Sequence, residues 1–98
     1  MQEKTEQLDG HGAVRDYVAQ MLCSRDNLEA GCFELTETPL VRGSSVCAIY
    51  FCLHGPRLLR LTAIWETETN TILFYGSQGE RFLKTTLSHS AIPASNAA

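Results

Sequence analysis

The spacing of the apolar residues changes once along the chain, near residue 30. Before that point, apolar residues recur three and four positions apart, which is the spacing of one face of an amphipathic helix. This stripe consists of Val14, Tyr17, Val18, Met21 and Leu22. Polar residues such as Arg15 and Gln20 fall off the stripe. We therefore predict a single helix over residues 12–27 whose stripe faces the protein core.

Beyond residue 30 the apolar residues alternate with polar ones, which is the spacing of β-strands. Short stretches containing Gly, Pro or Asn separate the segments and favour tight turns. The predicted strands cover residues 32–42, 44–54, 57–66, 71–76 and 80–87. The pattern predicts an α+β fold, in which one N-terminal helix packs on one face of a four- to five-stranded antiparallel meander sheet.

The chain has 98 residues, a length that suits one domain with its own core. We expect residues 11–88 to form this single α+β domain. Residues 1–10 are polar, and residues 89–98 are small and polar with one Pro. Such segments bury little apolar surface, so both are expected to be disordered tails.

Tight turns also predict which side chains share a face of the sheet, because successive strand residues point to opposite faces. A turn centred on Gly55-Pro56 places Leu53 opposite Leu58. Turns centred on 43–44, 69–70 and 78–79 pair Leu35 with Cys52, Trp65 with Phe74, and Phe74 with Leu83. The predicted core face under the helix then contains Phe33, Leu35, Val46, Ala48, Tyr50, Cys52, Leu59, Leu61, Ala63, Trp65, Ile72, Phe74 and Leu83.

The opposite face of the predicted sheet is polar at its edges and apolar near its middle. One helix cannot cover both faces, and an exposed apolar patch ringed by polar groups usually marks a contact surface. The predicted binding surface comprises Ile49, Phe51, Arg60, Thr62, Ile64, Leu73 and Tyr75. We therefore predict a non-enzymatic protein-interaction module that binds another protein or itself, in the latter case as a homodimer. The alternative is that the tails cover this face.

The charge and the length of the apolar runs bear on the class of partner. The net charge is −3, which argues against broad binding to nucleic acid or to an anionic membrane. Single-stranded nucleic-acid binding on the same face remains a second hypothesis, because the aromatic residues Phe51, Tyr75 and Phe82 are expected there with Arg60 and Lys84. The longest apolar run, residues 46–53, is far shorter than the roughly 20 residues that cross a bilayer. No signal-like segment is visible, so a cytoplasmic location is expected.

The four cysteines are Cys23, Cys32, Cys47 and Cys52, and no pair has the C-x-x-C spacing of a zinc or redox motif. We expect reduced thiols, no metal site and no cofactor. Cys52 and His54 share a strand face roughly 7 Å apart along the strand. A small thiol-dependent enzyme is therefore a third hypothesis, although the pattern predicts no catalytic residue.

Overall fold

One helix and six strands make up the computed structural model, which describes residues 2–88. The strands are β1 (Gln2–Glu6), β2 (Glu34–Arg42), β3 (Ser45–His54), β4 (Arg60–Glu66), β5 (Thr71–Tyr75) and β6 (Arg81–Leu87), and the helix α1 spans Gly10–Arg25. The strands form one sheet in the order β1-β6-β5-β4-β3-β2. The predicted α+β class is confirmed, and each of the five predicted strands lies within three residues of an observed one.

The strand count was wrong by one because the first residues form a strand. Gln2–Glu6 was predicted to belong to a disordered tail, but it forms β1 and pairs in parallel with β6. The sheet is therefore mixed rather than wholly antiparallel. A polar edge strand of this kind carries no apolar alternation, so the hydrophobic pattern could not reveal it. The predicted tail at residues 89–98 lies outside the described residues.

The helix α1 crosses one face of the sheet diagonally. Near its start, His11 and Arg15 contact Glu37 on β2. At its end, Arg25 contacts Glu80, just before β6, and the Phe82 ring in β6. The stripe prediction holds for its buried residues, which are Val14, Tyr17, Val18, Leu22 and Cys23, while Met21 is partly buried against the same core. The helix begins and ends two residues earlier than predicted.

Most of the predicted core face of the sheet lies under α1. Leu35, Leu61, Ala63, Trp65, Ile72, Phe74 and Leu83 are buried there, and Phe33 and Leu59 pack against this core. The strand β3 is the exception. Its core residues are Ile49, Phe51 and Leu53, whereas Ala48, Tyr50 and Cys52 belong to the opposite face. Val46, beyond the β-bulge, is exposed rather than buried in the core.

The β3–β4 connection causes this exchange of faces. Leu53 pairs with Leu61 rather than with Leu58, because the loop contains five residues, Gly55 to Leu59, with the short 3₁₀ turn Pro56–Leu58 inside it. The register differs from the predicted one by three residues. An odd difference moves every side chain of one strand to the other face.

The β2–β3 hairpin keeps Leu35 in the core by means of a bulge. The predicted two-residue turn is present, since Arg42 pairs with Ser45 and Val41 with Val46. A β-bulge between Leu40 and Val41 then shifts the register by one residue, so that Leu35 pairs with Leu53. Phe74 pairs with Leu83 as predicted, whereas Trp65 pairs with Ile72, an even difference that leaves both on the predicted face.

Candidate functional site

The face of the sheet opposite α1 is the candidate site, and we call it the open face. The strand register defines a central row of side chains across it. From β2 to β1 this row is Thr38, Tyr50, Ile64, Leu73, Lys84 and Glu3. On one side of the row lie Thr36, Cys52, Thr62 and Tyr75, and on the other lie Leu40, Ala48, Glu66, Thr71 and Thr86.

The open face is apolar at its centre and polar around it. Tyr50, Ile64, Leu73 and Tyr75 are partly buried, although α1 packs on the other side of the sheet. Ala48 and Cys52 are each only 7% exposed, because small side chains sink between their larger neighbours. Arg60 and Glu66 lie at opposite ends of β4 and are both exposed. The open face therefore has a partly exposed apolar centre with polar residues around it.

Five of the seven predicted site residues lie on the open face, namely Arg60, Thr62, Ile64, Leu73 and Tyr75. The placement of Ile49 and Phe51 there was wrong. Both belong to the core under α1, with Ile49 7% exposed and Phe51 fully buried. The reason is the five-residue β3–β4 loop, which reverses the side-chain parity of β3 relative to β4.

Sequence reasoning missed Tyr50 as a member of this surface. It lies between Thr38 and Ile64 in the central row. The predicted register had placed it in the core, because β3 is apolar at nearly every position and shows no alternation. Only the length of the β3–β4 loop could have revealed this placement. The sequence does not determine that length, because Gly-Pro followed by Arg and two Leu residues is compatible with turns of different lengths.

The free edge of β2 is protected against pairing with a further strand. Pro39 lies in the middle of this strand and has no backbone N–H to donate. The Arg15 guanidinium donates a hydrogen bond to the Leu35 carbonyl over 2.7 Å, and Arg15 and His11 both pair with the Glu37 carboxylate. Such features oppose edge-to-edge association. A contact through the face of the sheet is therefore favoured over one through this edge.

The cysteines and His54 do not form a thiol–imidazole pair in the described part of the chain. The Nε2 atom of His54 lies 3.2 Å from the hydroxyl of Thr36, and that hydroxyl is also 3.3 Å from the Cys52 carbonyl. The Cys32 thiol donates to Glu29, whose hydrogen bond and negative charge raise the pKa of Cys32. Burial raises the pKa of Cys23. Thiols with raised pKa values are poor nucleophiles at neutral pH.

Among residues 2–88, no group of three or more His, Cys, Asp or Glu side chains is placed to hold a metal ion. None of the helical segments there combines the length and apolar character of a membrane span.

Comparison of the chain with family models, with curated proteins and with solved structures gave no significant match.

Proposed function

We propose that this protein is a non-enzymatic interaction module whose contact surface is the open face, and that a second copy of the chain is its first partner. The observation that carries the proposal is the apolar centre formed by Tyr50, Ile64, Leu73 and Tyr75 on the side of the sheet away from α1. Aromatic side chains at the centre of a surface are the usual anchors of protein contacts, because they bury a large area at low entropic cost.

The charges at the ends of β4 support self-association. Arg60 and Glu66 lie on the open face at opposite ends of this strand, with Thr62 and Ile64 between them. If two copies stack face to face about a two-fold axis perpendicular to β4, Arg60 of each copy lies over Glu66 of the other. A two-fold interface must be complementary to itself in this way. The apolar centres would then meet in the middle of the interface.

The experiment compares the wild-type chain with Leu73→Asp and, as a matched control, Gln20→Asp. Gln20 is exposed on α1, so its substitution adds the same charge away from the open face. Sedimentation equilibrium at about 0.1 mM, where even a weak dimer is populated, should give twice the 10.9 kDa chain mass for wild type and control. Leu73→Asp should sediment as a monomer, because it places a charge at the centre of the interface. It should keep the circular dichroism spectrum of the folded wild type, because the Leu73 side chain lies outside the core cluster.

Two outcomes would contradict this proposal. A wild-type chain that stays at 10.9 kDa at this concentration would exclude self-association. A folded Leu73→Asp variant that still dimerises would place the contact elsewhere on the molecule.

Single-stranded nucleic acid is the second candidate for the open face, favoured by the pair Tyr50 and Tyr75. They lie on β3 and β5, on either side of β4, with Lys84 on the neighbouring strand. Exposed aromatic residues on a sheet can stack bases, and each phosphate contact makes binding weaken with salt. Fluorescence anisotropy with a labelled oligothymidine would test this candidate. Binding that is lost in Tyr75→Ala and falls with rising salt concentration would favour it.

A further inference from the structure

The end of the sheet beside the β3–β4 loop carries a groove of about 860 Å³ that is separate from the apolar centre of the open face. The segment after α1, the β3–β4 loop, Arg60 at the start of β4 and Ser77 in the turn after β5 line it, and it is open to solvent. Its apolar wall includes Leu28, Pro56 and Leu59. Leu28 and Leu59 also pack against the protein core, so this wall is fixed to the rest of the molecule.

Two arginines line this groove, and neither has a charged partner among the described residues. Arg57 and Arg60 form no ion pair and no side-chain hydrogen bond there, although Asp26 lines the same groove. Arg25, by contrast, is already paired with Glu80 over 3.2 Å. The groove therefore carries one more positive than negative charge, in a chain whose net charge is −3. Guanidinium groups bind carboxylates in a bidentate geometry.

The loop presents an unusually exposed apolar side chain beside these arginines. Leu58 is 90% exposed, the highest value of any large apolar residue described. Arg57 and Leu58 both have positive φ angles, of 58° and 62°. This left-handed backbone region is unfavourable for residues other than Gly, and such strain is concentrated at functional sites. The strained backbone holds the leucine away from the core and into solvent.

We infer that this groove binds a peptide segment of a partner protein that presents an acidic group next to an apolar side chain. The carboxylate is bound by Arg57 and Arg60, and the apolar side chain packs against Leu58 and the Leu28–Leu59 wall. Charge complementarity identifies the occupant. The two guanidinium groups have no anionic partner among the described residues and so favour an anion, and the apolar wall beside them favours an apolar neighbour on the same ligand.

The test uses a displayed library of random peptides, about a dozen residues long, selected against the wild-type chain. The enriched sequences should carry Asp or Glu within two positions of Leu, Ile, Met or Phe. The most enriched peptide is then synthesised with a fluorescent label and its binding measured by anisotropy. We expect binding to weaken at least about tenfold, a difference of roughly 1.4 kcal/mol, in Arg57→Gln and in Leu58→Ser.

Two control variants distinguish this groove from the open face. Arg42→Gln removes an exposed arginine at the opposite end of the sheet, and Leu73→Asp alters the apolar centre of the open face. Arg42→Gln should bind the peptide as the wild type does. Leu73→Asp should bind it at least as tightly, because a monomer leaves Arg60 free of Glu66 of a second copy. Leu58→Gly should lose the peptide but melt at a higher temperature than wild type, because Gly adopts positive φ without strain. A merely structural leucine would not separate stability from binding in this way.

Three results would overturn the inference. The first is a selection that enriches no acidic peptide. The second is a peptide whose affinity is unchanged by Arg57→Gln and Leu58→Ser. The third is a peptide whose binding is lost only in Leu73→Asp. The last result places the ligand on the open face and leaves the proposed function standing.

Discussion

Tyr50 and Phe51 are adjacent aromatic residues of β3 whose side chains point to opposite faces of the sheet. Phe51 is fully buried under α1, whereas Tyr50 is partly exposed on the open face. Truncating a buried aromatic side chain typically costs about 3–5 kcal/mol, because it leaves a cavity as well as removing apolar contacts. Phe51→Ala should therefore lower the free energy of unfolding by that amount.

The matched variant is Tyr50→Ala. Urea denaturation at low protein concentration gives the free energy of unfolding of both variants. Tyr50→Ala should cost less than about 1 kcal/mol, the usual scale for substitutions outside the core. The reverse order of the two losses would show that β3 has the opposite parity. Equal losses would mean that both faces of this strand are covered.

The bounds of the helix and of five strands could be predicted, because each depends on local spacing. The stripe from Val14 to Leu22 and the alternation around Leu61 to Trp65 repeat at a fixed period. The parity of β3 could not be predicted, since residues 46–53 are apolar on both faces and only the loop length decides which face is core. That one loop accounts for the misplacement of Ile49 and Phe51 and for the omission of Tyr50 from the candidate surface.

The helix α1 is joined to the sheet by one buried polar contact. The Tyr17 hydroxyl lies 2.8 Å from the hydroxyl of Thr85, which is fully buried in β6. Burial raises the pKa of Tyr17 above its usual value near 10, against the opposing effect of the Thr85 hydrogen bond, and the charge of Glu6 raises it further. Tyr17→Phe leaves the Thr85 hydroxyl without this partner, so it should cost about 1–2 kcal/mol at neutral pH.

Burial of the Tyr17 hydroxyl makes stability depend on pH in the alkaline range. The folded pKa of Tyr17 is raised, so the folded state keeps the proton more tightly than the unfolded state. This contribution is complete below about pH 10, the usual tyrosine pKa, and is lost as the pH rises toward the folded value. Urea midpoints measured from pH 8 to 11 should fall less steeply in Tyr17→Phe than in the wild type. Parallel pH curves for the two proteins would contradict this role.

The strand β1 should contribute to stability although its side chains are mostly exposed. It adds a five-residue parallel ladder to β6, and Leu8 after it packs against the core. Deleting residues 2–8 should therefore lower the free energy of unfolding by about 2 kcal/mol, the net value of a few hydrogen bonds and one apolar contact. Glu3→Ala, which keeps the ladder, is the control. A truncated chain as stable as the full one would show that β1 is dispensable.

At the scale of the whole molecule, self-association can be tested by exchanging the charges of Arg60 and Glu66 on the open face. Arg60→Glu and Glu66→Arg should each weaken the dimer, because each places like charges opposite one another across the two-fold interface. The double variant restores opposite charges and should recover most of the affinity. Sedimentation equilibrium over a concentration series measures all four proteins. Losses that simply add in the double variant would exclude an Arg60–Glu66 contact between copies.

The pairing of β1 with β6 also affects the order in which the chain can assemble during synthesis. Of the six described strands, β1 leaves the ribosome first, and its neighbour β6 leaves it last, about eighty residues later. The meander from β2 to β5 can form from neighbouring segments as they emerge. Residues 2–6 therefore remain unpaired until residues 81–87 have been synthesised. Their polar composition keeps this waiting strand from offering an apolar surface to other chains.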